Sequence, residues 1–269
     1  MRVEVMQIRN SLSKEGNQLD YLRTGFEPDR CMLQPNDDRI VRIIEAVVDK
    51  DGWTDCSGKD APPPDFVSEK HGLMIEAMRV DDHERPGDRK GYVNPVRARE
   101  SEIIKEYEPE FEELLSLAAE GATLTVTGKT GLPTQEDHNY DYYLSAFERI
   151  VCKHANHADT YRANHPGLGL VFFVFDESTL YFETSEPTTQ GLRKGDVVKG
   201  HPHYWFADEA FLGVIESSGA DYFIWYTPFK QPQLFNRELM FPDTVVYDLK
   251  RFDPHRITYD RKRMMSTEE

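Results

Sequence analysis

The run Leu168-Gly169-Leu170-Val171-Phe172-Phe173-Val174-Phe175 constrains the fold more than any other stretch of this chain. It is the length of a strand and far short of a bilayer span. It is continuously apolar rather than alternating, so it reads as a central strand buried on both faces. Pro166 and Gly167 lead into it, and a helical pattern over 141–163 comes before them. A strand covered on both sides requires layers above and below. Strands alternating with helices therefore imply an α/β fold, a mixed sheet flanked by helices in a three-layer sandwich, formed as one domain over 1–269.

Other elements follow from local patterns. Ile40, Ile43, Ile44, Val47 and Val48 recur at helical spacing after the capping candidates Asn36, Asp37 and Asp38, and Gly52 stops this helix, expected over 38–50. Two short strands are expected at 65–67 and 73–80, joined by the turn Ser68-Glu69-Lys70-His71-Gly72. Further helices are expected over 101–119 and 207–217, and strands over 122–127, 222–226 and 244–247. The segment 1–37 mixes apolar pieces with Gly, Pro and Asn and receives no assignment.

The net charge of −16 over 269 residues argues against a broad, non-specific grip on DNA, which is carried by Lys and Arg against phosphates. It leaves room for a nucleic-acid enzyme in which a divalent cation offsets the local acidity. Cys31, Cys56 and Cys152 are odd in number and far apart, which fits a reducing compartment rather than a disulfide framework. Met1-Arg2-Val3-Glu4-Val5 has no apolar signal core, so a cytoplasmic location is expected.

The chemistry concentrates between residues 63 and 78. Asp65 follows Pro63-Pro64 and opens one strand. Glu76 lies within the next, among Leu73, Met74, Ile75, Ala77, Met78 and Val80. A carboxylate in such surroundings costs free energy unless it is paired or bound to a cation. Carboxylates on adjacent strands can converge on a hard cation, one of whose waters can attack a phosphodiester.

Pro64-Asp65, ten intervening residues and Glu76-Ala77-Met78 resemble the PD-(D/E)XK nuclease superfamily. The resemblance covers about 38–175 and leaves 176–269 as an extension. It implies a restriction-endonuclease-like core of helix, three-stranded meander, helix and strand. It also implies Mg²⁺ or Mn²⁺ held by Asp65, Glu76 and the Ala77 carbonyl, with Glu45 assisting from the first helix. The expected activity is a metal-dependent nuclease hydrolysing phosphodiester bonds, with DNA as partner and no membrane association. Oligomeric state is left open, a homodimer being one option. The sequence departs from the family at Met78, where the motif lysine belongs. Lys70 in the turn is the expected substitute, with Arg79 and Lys129 behind it. Arg79 points to the opposite face from Met78. Without such a lysine, the alternative is a catalytically degenerate interaction module on the same fold.

Other groups carry weaker signals. Thr127-Gly128-Lys129-Thr130 is not a phosphate-binding loop: six residues separate Gly121 from Gly128 where four are needed, and Pro133 blocks the following helix. Cys152, His154, His157 and His165, with His201 and His203, make a composite zinc site conceivable, but His154 reads better as a core or site-facing histidine. His71 and His83 read as turn residues. Asp81 and Asp82 read as loop caps, with extra metal ligands the other option. Tyr222-Phe223-Ile224-Trp225-Tyr226 reads as sheet core.

Overall fold

The computed structural model describes residues 15–57, 64–83, 85–86, 92–95, 98–99, 102–103, 106–107, 138–186, 198–230 and 241–267. The elements, in chain order, are α1 (Glu15–Gly25), β1 (Cys31–Gln34), α2 (Asp38–Val48), β2 (Thr54–Asp55), β3 (Phe66–Ser68), β4 (Leu73–Val80), β5 (Arg85–Pro86), β6 (Tyr92–Val93), α3 (Tyr140–Ala155), α4 (Ala158–Asn164), β7 (Gly169–Asp176), β8 (Tyr181–Thr184), β9 (Gly200–Pro202), α5 (Glu209–Glu216), β10 (Tyr222–Tyr226), β11 (Thr244–Asp248) and β12 (Met264–Ser266). The helix expected over 101–119 lies largely outside the described residues. The strand over 122–127, Lys129, the 127–130 loop and Pro63 lie wholly outside them.

A seven-stranded mixed sheet in the order β1-β11-β10-β7-β4-β3-β2 forms the centre. β2, β3 and β4 are an antiparallel meander. β4, β7 and β10 run parallel as neighbours. β11 lies antiparallel to β10, and β1 parallel to β11. The apolar run is therefore the middle strand, β7, with Leu170 to Phe175 fully buried. The sheet extends on both sides of the 38–175 core, through β1 at one end of the sequence and β10 and β11 at the other.

Helices cover both faces. Leu19 and Leu22 of α1 and Ile40, Ile44 and Val47 of α2 pack on the face carrying Ile75, Ala77, Val171, Phe173 and Ile224. Asp37 caps α2 by accepting from the Arg39 and Ile40 amides. The opposite face carries Met74, Met78, Phe172, Val174, Phe223 and Trp225, and it is covered by Tyr143, Leu144, Phe147 and Val151 of α3, Tyr161 of α4 and Phe211 and Leu212 of α5. Period-two alternation along β4 assigns Glu76 to this second face.

The single helix expected over 141–163 is two helices. The Asn156 amide bonds back to both the Cys152 and His154 carbonyls, which tightens and ends α3, and α4 starts after His157. Asn139 caps α3 through the Tyr142 amide.

Candidate functional site

Among the described residues, buried polar clusters interrupt the apolar layer between α3 and the sheet under each end of the helix. The first lies at the carboxyl ends of the parallel strands, the edge at which ligands bind in open α/β sheets. β4 ends at Val80 opposite Asp176, the last residue of β7, and Phe175 pairs with Tyr226, the last of β10. The chain beyond these ends supplies Asp82 and His83 after β4, Ser178 and Thr179 after β7, and Lys230 after β10. His138, just ahead of α3, closes the group.

Asp82 is fully buried. Its Oδ2 accepts from the Thr179 amide (3.0 Å), Thr179 Oγ1 (2.9 Å), Tyr181 OH (2.8 Å) and His138 Nδ1 (3.1 Å). Burial alone would raise this carboxyl, but the His138 hydrogen bond and charge, with His83 and the Tyr181 phenol, hold it well below the usual carboxylate range. Its Oδ1 is buried and receives no hydrogen bond among the described residues. His83 Nε2 lies 3.8 Å from Oδ1. His138 thus sits on one oxygen and His83 beside the other, and the two imidazole centroids lie 4.6 Å apart. Ligand atoms of Asp82, His83 and His138 all lie within 4.8 Å of one another. A cation with bonds of about 2.1 Å needs its donors within roughly 4.2 Å, so small side-chain rotations suffice.

Behind this group sits an ion pair in the same layer. Asp176 and Lys230 are buried, with Nζ 3.3 Å from Oδ2. Asp176 Oδ2 also accepts from Tyr143 OH (2.5 Å) and Trp225 Nε1 (2.8 Å), while Oδ1 accepts from the Ser178 amide (2.8 Å). Lys230 donates to Tyr143 OH at 2.9 Å and lies over that ring. Burial pulls the Lys230 ammonium below its ordinary range, and Asp176 and Asp82 pull the other way. A third group, His203 with Nε2 2.7 Å from Asp208 Oδ2, anchors the start of α5, where Asp208 Oδ1 caps the Ala210 amide.

The second cluster lies at the other end of α3. From Tyr143 to His154 the helix rises about 16 Å, so the two clusters are separate sites. Glu76 Oε1 accepts from His154 Nδ1 (2.5 Å) and from Tyr161 OH (2.8 Å), and Oε2 is buried with no hydrogen-bond partner among the described residues. The break between α3 and α4 makes this convergence possible. On one continuous helix, residues seven apart would be separated by about 10.5 Å of rise, too far to share one oxygen. Asp65 is nearby: Tyr161 is pushed up by burial, by Glu76 and by Asp65. Asp65 Oδ2 accepts from the Ala77 amide at 2.8 Å.

Of the residues expected to hold and serve a metal, Asp65 lies near Glu76, and Glu45 and Lys70 are placed elsewhere. Glu45 is exposed on α2, which packs on the Ile75 and Ala77 face, opposite Glu76. Lys70 is exposed in the β3–β4 turn and bound to Asp49 at 2.8 Å. The Ala77 amide N–H donates to Asp65 Oδ2. Among the described residues, Glu45, Asp65 and Glu76 do not bring three ligand atoms within 4.8 Å, whereas Asp82, His83 and His138 do. Arg79 is engaged by Glu177, with Nε 2.6 Å from Oε2. No composite zinc site forms among the described residues: Cys152 and His201 are exposed, and His203 is committed to Asp208. His71 stacks on Trp53. Asp81 caps its loop through the His83 amide, as its position in the sequence suggests, and takes the Asn94 amide group as well.

Comparison of the chain with protein-family models, curated proteins and solved structures finds no match.

Proposed function

We propose that the chain is a divalent-metal-dependent hydrolase of phosphodiester bonds, built on a restriction-endonuclease-like scaffold, with its metal held by Asp82, His83 and His138 rather than by Asp65 and Glu76. The observation that carries this is the buried cluster of Asp82, His83 and His138 at the carboxyl edge of three parallel strands, with Asp82 Oδ1 receiving no hydrogen bond among the described residues. The order helix, meander, helix, parallel strand in α2, β2-β3-β4, α3 and β7 supports the scaffold. The sequence resemblance supplies the substrate class, with DNA the favoured substrate.

One carboxylate and two imidazoles suit Mn²⁺, Zn²⁺ or Fe²⁺ better than Mg²⁺, which prefers all-oxygen shells and keeps several waters. When bound there, such a cation would lower the pKa of a water and so supply the nucleophile near neutral pH. Thr179 and Tyr181 hold Asp82 in position, and their hydrogen bonds orient its Oδ1. His138 Nδ1 donates to Asp82, so binding metal through that nitrogen requires release of its proton.

Calorimetric titration with Mn²⁺ and Zn²⁺ tests this. One equivalent should bind with buffer-dependent heat from the released proton. His83→Gln should weaken binding at least tenfold and abolish metal-dependent cutting of DNA. Absence of heat at millimolar metal would overturn the proposal and leave the alternative of a non-enzymatic module on the same fold.

A further inference from the structure

The Glu76 cluster has no part in that reading, and its geometry is that of a base. A carboxylate only accepts hydrogen bonds, which makes His154 Nδ1 the donor in the 2.5 Å contact with Glu76 Oε1. In the neutral ring this leaves the lone pair on Nε2. A carboxylate that fixes the imidazole tautomer and steadies the imidazolium is the arrangement by which histidine acts as general base. Tyr161 holds the same carboxylate oxygen from α4, so Glu76 is fixed by two helices. Exposure is graded in the direction catalysis needs: the Glu76 side chain is 6% exposed and that of His154 is 22%.

We propose that Glu76 and His154 form a metal-independent hydrolytic dyad for uncharged or cationic carboxylic esters, with Tyr161 a positioning residue. The substrate charge follows from the surroundings. Two carboxyl groups, Glu76 and Asp65, flank the neutral Tyr161 phenol, and the neighbouring ring of His157 lies against Tyr161 at 6.1 Å. An anionic ester would be repelled. In the reaction, His154 Nε2 takes a proton from water while the water oxygen bonds to the ester carbonyl carbon and the C=O electron pair moves onto oxygen. The tetrahedral intermediate then collapses. The bond to the alkoxy oxygen breaks, and that oxygen takes the proton from Nε2. A carboxylic acid and an alcohol leave, and the dyad is restored without any oxidant or reductant.

The test uses the full chain treated with EDTA, which separates this site from the metal reading, and follows p-nitrophenyl acetate against p-nitrophenyl phosphate. The acetate should turn over and the phosphate should not. His154→Gln keeps a donor toward Glu76 but has no base, and it should lose about 10²- to 10⁴-fold in rate with its thermal midpoint little changed. As a check free of any folding defect, diethyl pyrocarbonate on the wild-type protein should modify His154, located by peptide mass spectrometry, in step with loss of turnover. No turnover above buffer in the wild type, equal rates in His154→Gln, or full activity after His154 is modified would each overturn the proposal. DNA cutting with Mn²⁺ is independent of all three outcomes.

Discussion

Replacing Lys230 by methionine isolates the energetics of the buried layer beneath α3. At 3.3 Å, and with an effective dielectric constant of about 20, the attraction between Lys230 and Asp176 is about 5 kcal/mol before desolvation is set against it. Methionine fills most of the same volume, so packing loss is small, but it leaves Asp176 charged and buried with only the Tyr143, Trp225 and Ser178 donors. Stranding one partner of a buried pair costs about 3–5 kcal/mol. That is a large share of the roughly 5–15 kcal/mol by which a folded protein is stable. Asp176→Asn should cost a similar amount for a complementary reason. Every group around the carboxylate is a donor, so whichever way the amide turns, its NH₂ meets another N–H or O–H. The assay is urea unfolding followed by Trp fluorescence, with Trp225 bonded to Asp176 as an internal reporter. Each single variant should lower the midpoint by about 1–2 M for a slope near 3 kcal/mol/M. The double variant should be less destabilised than the two singles added together, by at least about 1 kcal/mol, because removing both charges leaves neither stranded. Additive losses, or a Lys230→Met cost under about 1 kcal/mol, would refute the buried pair.

Burial lowers His203 below the ordinary histidine value despite its bond to Asp208. Between the folded value and about 6.5 the unfolded chain binds more protons, so stability should fall as pH drops through that window; His203→Gln should flatten this part of a pH-dependent thermal melt. Gly52 has φ +83°, and a Cβ there would lie 2.6 Å from Lys70 Cδ and 3.1 Å from its Cβ. Gly52→Ala should therefore destabilise by about 1–2 kcal/mol in the same urea assay while Gly72→Ala, with open space around it, costs less.

The parts of the fold legible in the sequence are those whose pattern is set locally. The unbroken apolar run became β7, the spaced isoleucines became the buried stripe of α2, and 222–226 became β10, because burial on one or both faces imposes its period on the residues themselves. β1 was not legible. Its four half-buried residues carry no strong period, and only pairing with β11 makes them a strand. The break at Asn156 was missed because 141–163 holds no proline or glycine; only hydrogen bonding at the helix end reveals it. For the sites, Glu76 was legible as a carboxylate in need of a partner, but the partner comes from residues far along the chain, His154 and Tyr161. His154 was legible as site-facing from its helical face. The strand-end group was half visible. Asp81-Asp82-His83 stood out as titratable residues after an apolar strand, and Asp176 is an acid that ends the longest apolar run. His138 and Lys230 lie in irregular segments where no periodicity marks burial.

The pairing of β1 with β11 has a consequence for how the chain is made. Cys31 lies beside Thr244 and Gln34 beside Tyr247, so the first strand of the sheet finds its place only when one of the last has left the ribosome. Until then β1 has no neighbour in the sheet, and β10 has only β7 beside it. Contacts this distant in sequence close slowly, and an open strand edge is a template for pairing with other molecules in the interval. Synthesis therefore carries a long vulnerable phase that lasts until residues 244–248 are available, and slowing translation between 34 and 244 should lengthen the exposure rather than help the fold.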